Sequence, residues 1–266
     1  MRAPQIGPLL AKDAELTRQN PYALTLAISY LGIRRAIGHL GLALPVLLGP
    51  AGYLLFGIPL QENMSSYYHT PMRDVFVGVM CAMGVFFYCY RGYGWFEKIT
   101  SFLACVSAFG IGLCPLDYGA DPLYQTSWFG YLHTASGGIF FCTLAVFSLV
   151  HFPRGHFGLR LKTRDQQRDG IYLASGLAIL GSILLMGIHL FLLPQAIKDD
   201  LNSYCFLYWM EWAAVWAFSA AWLTKGHALL ADSAIEGFRL LLGQDAFSQQ
   251  TEEERLQSER PDNTNN

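Results

Sequence analysis

Ser65-Ser66-Tyr67-Tyr68-His69-Thr70-Pro71-Met72-Arg73-Asp74 crowds hydroxyls, phenols, an imidazole, a cation and a carboxylate into one short stretch between two long apolar segments. Further along the chain, Asp117, His133, His189 and Glu211 add two more carboxylates and two more imidazoles. Imidazoles with one carboxylate form a common catalytic zinc shell that leaves a position open for water. The metal acidifies that water, and a neighbouring carboxylate can shuttle its proton. On this pattern His69, His133, His189 and Asp117 are the expected metal ligands, and zinc is the expected metal. Glu211 is the expected proton shuttle. Ser65 would stabilise a developing oxyanion, and Asp74 is a further catalytic or orienting carboxylate.

Plainer roles compete with these. His133 follows Tyr131 and suits a membrane interface, as do Tyr67, Tyr68, Trp209 and Trp212. Thr70, Pro71 and Asp74 make an ordinary helix N-terminus, with a hydroxyl cap, a proline in the first turn and an acid facing the dipole. Asp117, just after Pro115, could simply end a helix. Two residues resist such readings. His189 closes the uncharged run 171–188. Glu211 sits among Trp209, Met210, Trp212 and Ala213, where a charge costs about 2.5–3.5 kcal/mol to insert into a membrane. It must pair with His189, His69 or Arg73, line a polar cavity, or carry a proton.

The elements that position these groups follow from composition. Apolar residues make up 53% of the chain and charged residues 14%, and mean hydropathy is positive. A soluble domain carries about 25% charged residues, so this is membrane composition. No cleavable leader is visible in the first 20 residues, which leaves the first span as the insertion signal. Six spans are expected, at roughly 36–60, 71–90, 99–116, 133–150, 171–193 and 205–224. The first is interrupted by Pro45, Gly49, Pro50 and Gly52 and should kink. Ala104, Ala108 and Gly112 form a small-residue stripe on the third. With six spans, sixteen of the eighteen Lys and Arg residues fall on one side, leaving only Arg73 and Lys198 on the other. That bias puts both termini in the cytoplasm and the Ser65–Asp74 stretch on the outer face. Cys114 and Cys205 share that face, where a disulfide and two free thiols are both open; the other cysteines read as small buried hydrophobes.

Ser65 to Gly78, read as Ser-x-Tyr-Tyr-His-Thr-x-x-Arg-Asp-x-Phe-Val-Gly, resembles the signature of an uncharacterised bacterial multi-span membrane family. Ile28 to Leu31, Arg34 to Gly38 and Leu44-Pro45 resemble its opening, and Trp222 to Gly226 its close. The resemblance implies the six-span topology and no activity. A second resemblance is to the CREST superfamily of membrane hydrolases, which includes the alkaline ceramidases. Ser65 and His69 fit its Ser-x-x-x-His, Asp117 its helix-end aspartate, and His133 and His189 its further imidazoles. The closing His-x-x-x-His is missing, since Leu185 and Leu193 stand four residues either side of His189. Six spans replace seven, and Pro71 puts Ser65 and His69 ahead of the helix rather than along it.

The expected fold is therefore an all-α, six-transmembrane helix bundle. Residues 1–35 form a cytoplasmic or interfacial lead-in, 36–225 the membrane domain, and 226–266 a cytoplasmic amphipathic stretch and disordered acidic tail. The expected place is a bacterial inner membrane, with membrane lipids as partners and no nucleic acid. The leading expected activity is a metal-dependent hydrolase of a lipid amide or ester at the outer leaflet. The alternative is a non-enzymatic membrane protein, either a small-molecule permease or a structural or sensory partner. No nucleotide-binding loop occurs, which argues against ATP-driven transport by this chain alone.

Overall fold

The computed structural model describes residues 21–90, 94–119, 122–153 and 162–226, with the side chains of 21–31, 33, 34 and 162–166 excepted. The lead-in before residue 21 and the stretch and tail from residue 227 lie outside the described residues, as does most of the basic loop containing Arg154 and Arg160. The chain divides into two units, Tyr30–Gly226 and the two terminal segments; within the latter only the helical residues 21–29 are described.

The described chain is all-helical. In order come α1 (Pro21–Val46), a π-helical turn (Leu47–Ala51), α2 (Gly52–Phe56), a 3-10 helix (Met64–His69), α3 (Arg73–Cys89) and α4 (Trp95–Leu113). Then follow α5 (Trp128–Val146), a second π turn (Phe147–His151), α6 (Lys162–Phe191) and α7 (Gln195–Ser203). The last helix, α8, covers 206–226. Helix α1 begins at Pro21, within the expected lead-in, and runs unbroken through Arg35 to Val46.

The interruption in the first apolar segment has a specific cause. Pro50 has no N–H to offer the carbonyl four residues back, so the hydrogen-bond ladder slips to i→i+5. Gly52 N–H accordingly donates to Leu47 O. The wide turn is held from the side: the Tyr208 hydroxyl donates to Pro45 O at 2.5 Å. A Cβ at Gly49 would lie 2.3 Å from that hydroxyl, so only glycine admits it. Gly57 then ends the segment at φ +66°, a left-handed cap that glycine adopts without strain.

The small-residue stripe performs as expected. Ala104 and Ala108 are fully buried, and a Cβ at Gly112 would come within 3.1 Å of Met80 Cβ, so α3 and α4 pack nearly backbone to backbone. Gly110 admits Ser136 of α5 in the same way, its Cβ position lying 2.1 Å from the serine oxygen. Phe87, Phe147, Phe218 and Trp222 interlock at the opposite end from Ser65, with Trp222 edge to face against both Phe87 and Phe147.

Among the described residues four helices are long and apolar enough to cross a membrane: Arg35–Phe56, Trp95–Leu113, Trp128–His151 and Gln167–Phe191. Their outward residues are apolar, with Leu54 79% and Leu184 64% exposed, surfaces that lipid rather than water would cover. These helices mark a membrane protein. Helix α3 is shorter, at 17 residues, and α8 carries Glu211, Lys225 and four tryptophans. All six cysteines are free, Cys114 and Cys205 included.

Candidate functional site

The stretch from Ser65 is not part of a long helix. Pro71 would have to donate an N–H it lacks, so the chain instead closes a 3-10 turn, Met64–His69, and restarts at Arg73. Asn63 caps the turn, its Oδ1 accepting from Ser66 N at 2.8 Å and Ser66 Oγ at 3.0 Å. Thr70, expected as the cap of α3, finishes the turn before it: its hydroxyl donates to Tyr67 O at 2.8 Å and accepts from Met72 N at 3.1 Å.

Side chains from distant helices then fix the turn in place. Glu211 of α8 accepts the Met64 N–H at 2.6 Å. Tyr67 is fully buried, its ring centroid 6.0 Å from that of Tyr208. That burial pushes the Tyr67 phenol above its usual range, with the Gln61 main chain opposing. His69 contacts Leu116 O through Nε2 at 2.6 Å and sets its ring edge against Tyr118.

At the centre is a pair that the sequence does not announce. His133 Nε2 lies 2.7 Å from Ser65 Oγ, and His133 Nδ1 lies 2.6 Å from the carbonyl of Cys114. A carbonyl only accepts, so Nδ1 carries the proton in the neutral ring and Nε2 is left to accept from the serine hydroxyl. This is the arrangement in which a buried imidazole acts as base toward a serine, with the Cys114 carbonyl in the orienting position. The serine is half-buried and the histidine buried.

Ser65, His133 and Glu211 all line one cavity of about 370 Å³. Its size lies within the usual range for small-ligand sites, roughly 300–1,000 Å³. Apart from those three, Asn63 and Thr134, its walls are almost wholly apolar, with Phe76, Met80, Ile111 and Phe140 among them.

The other expected site residues are elsewhere. Asp74 is 91% exposed, lies 3.5 Å from Arg73 in the first turn of α3, where it complements the helix dipole, and does not line the cavity. Asp117 knots the loop between α4 and α5. It accepts from Thr126 N at 2.6 Å, Thr126 Oγ1 at 2.8 Å, Ser127 N at 2.9 Å and Ser127 Oγ at 2.5 Å. Ser127 hydrogen bonds, then those of Thr126, hold its carboxyl well below the usual carboxylate range. His189 is buried with its ring against Phe206 and does not line the cavity; His69 does not line it either.

The expected zinc shell of His69, His133, His189 and Asp117 is therefore not assembled. Among the described residues no three His, Cys, Asp or Glu side chains are grouped to hold a metal. Both ring nitrogens of His133 are taken up by protein partners, and Asp117 is spent on the loop. The residues present do not fit that ion.

Three contributors escaped the sequence. The Cys114 carbonyl has no side-chain signature. Thr134 is one hydroxyl within an apolar helix, with no local signal to mark it. Asn63 did carry a signal, an N-cap residue just before a short polar turn. No family of known proteins matches this chain, and no characterised protein or solved structure is detectably similar to it.

Proposed function

We propose that this protein is a membrane-embedded hydrolase or acyltransferase of lipid amides or esters, with Ser65 as nucleophile and His133 as its base. The observation that carries the proposal is the 2.7 Å contact between Ser65 Oγ and His133 Nε2 inside an apolar cavity. Ser65 Oγ attacks the substrate carbonyl carbon as its proton passes to His133 Nε2. The resulting imidazolium is stabilised through Nδ1–H by the Cys114 carbonyl. Collapse of the tetrahedral adduct breaks the bond to the alcohol or amine, which leaves with the proton from His133. Water, or an acceptor alcohol, then attacks the acyl-serine with the same base, and Ser65 is regenerated. The apolar walls hold the acyl chain.

Placement completes the proposal. Helices α3 and α8 join the four apolar helices as six spans in a bacterial inner membrane, both termini inside, with Ser65 at the outer end. The charge bias of sixteen to two among the eighteen basic residues supports this orientation. Cysteines introduced at Tyr118 and Gly94 should then react with an impermeant maleimide from opposite sides of the membrane. Reaction from the same side would remove the topology.

The activity is tested with a fluorophosphonate probe on the full chain in mild detergent. Ser65 should label covalently, Ser65→Ala should not, and Ser66→Ala should label as the parent does. His133→Gln should slow labelling about 10²–10⁴-fold, the usual contribution of a general base. A parent protein that never labels returns the cavity to a non-enzymatic role, that of a permease or sensory partner holding a ligand.

A further inference from the structure

Helices α5 and α6 are in close contact at one end and border the cavity at the other. At one end a Cβ on Gly176 of α6 would fall 2.2 Å from Leu149 Cδ2, so the two segments are pressed together there. At the other end Gly137 and Gly138 of α5 and Gly187 of α6 line the cavity, yet a Cβ on any of them would meet nothing within 4 Å. Gly138 and Leu149 are eleven residues apart, roughly 16 Å along a helix at 1.5 Å per residue. The cavity thus lies between the two helices toward the Ser65 end. Lining residues at that end also reach the outer surface: Gly138 and Cys142 are exposed, and Phe191 is 70% exposed. Both helices are among those apolar enough to cross a membrane, so the slot faces acyl chains rather than water.

The cavity also has a charge character. Among the described residues its lining contains one acidic side chain, Glu211, and no Lys or Arg. A buried anion needs a cation or several hydrogen-bond donors to offset its desolvation. Whether or not Glu211 is ionised, the described lining offers no permanent cation to a carboxylate or phosphate, and both ring nitrogens of His133 are already engaged by Ser65 and the Cys114 carbonyl.

We infer that the cavity takes a single-chain amphiphile with an uncharged or cationic headgroup, which enters sideways from the lipid through the slot between α5 and α6 kept open by Gly138 and Gly187. The inference rests on the proposed hydrolase only for where the headgroup stops, beside Ser65. The chain enters tail and head together from the bilayer, so the scissile bond need never cross water.

The test uses the full chain in phosphatidylcholine nanodiscs at pH 8 and two photoreactive probes with the same diazirine tail, a monoacylglycerol and a fatty acid. The monoacylglycerol should crosslink within α5 and α6 at least about tenfold more than the fatty acid. Gly138→Leu with Gly187→Leu should cut that labelling at least about tenfold. Gly181→Leu should leave it within about twofold, because that position on α6 is equally open but does not line the cavity. An unchanged unfolding midpoint in the double variant shows that loss of labelling is blockage and not misfolding. Equal labelling of the double variant and its parent overturns the slot, and a fatty acid that labels as well as the monoacylglycerol overturns the headgroup rule. Photolabelling that persists when Ser65 proves unreactive leaves this inference standing and strikes only the hydrolase. A reactive Ser65 with photolabelling indifferent to both leucines strikes only this inference.

Discussion

Glu211 offers the sharpest perturbation, because it ties α8 to the residue just before Ser65. Its Oε2 accepts the Met64 N–H at 2.6 Å, and Met64 is only 4% exposed. In Glu211→Leu that N–H keeps its burial and loses its acceptor, which costs about 1–3 kcal/mol. Glu211→Gln retains an acceptor oxygen for the Met64 N–H, so it should cost about 1 kcal/mol or less. The 3-10 turn can relieve the unpaired N–H only by moving, and Ser65 moves with it. A displacement near 1 Å from a productive geometry costs about 10²-fold in rate. The expected result is fluorophosphonate labelling of Ser65 about 100-fold slower in Glu211→Leu and less than about tenfold slower in Glu211→Gln. The assay pairs labelling rates with unfolding midpoints in the same detergent. A leucine variant that folds normally and labels within about twofold of its parent would refute the idea that Glu211 positions the nucleophile.

Three other outcomes follow from the packing and the loop. Gly176→Leu forces a side chain into Leu149 and should destabilise by about 1–3 kcal/mol, whereas Gly181→Ala enters open space and should stabilise by up to about 1 kcal/mol through helix propensity; thermal unfolding giving the same sign for both would contradict the packing. The Asp117 carboxyl is held below its unfolded value, so its stabilisation is complete above the ordinary carboxylate range and lost as pH falls through the lower folded value. Asp117→Asn should therefore lower the unfolding midpoint near pH 7, with the gap from the parent closing progressively below about pH 4; a gap independent of pH would show that the loop does not depend on the ionised form. Exhaustive chelation should leave Ser65 labelling unchanged, and a loss restored by zinc would reinstate a metal shell.

Much of the architecture is legible in the chain itself because it depends on local composition. Long uncharged runs must be helical in lipid, and that follows from backbone hydrogen bonding alone. The stripe Ala104, Ala108 and Gly112, the break around Pro50, and the interruption at Pro71 are likewise readable from residue type and spacing. Even the displaced start of α3 is a matter of which nearby hydroxyl closes which turn.

What the sequence by itself determined, then, was an all-helical apolar chain and a short list of groups able to do chemistry. Only tertiary structure sorted that list. Ser65 meets His133 across 68 positions, and Glu211 meets Met64 across 147, contacts that no local pattern encodes. The His133 orienting group is a main-chain carbonyl, which every residue possesses, so nothing in the residue types could mark Cys114. Asp74, Asp117, His69 and His189 look as reactive on paper as the three that share the cavity. The difference lies in where helix packing turns each side chain: toward solvent, into a loop, against a ring, or into a common pocket.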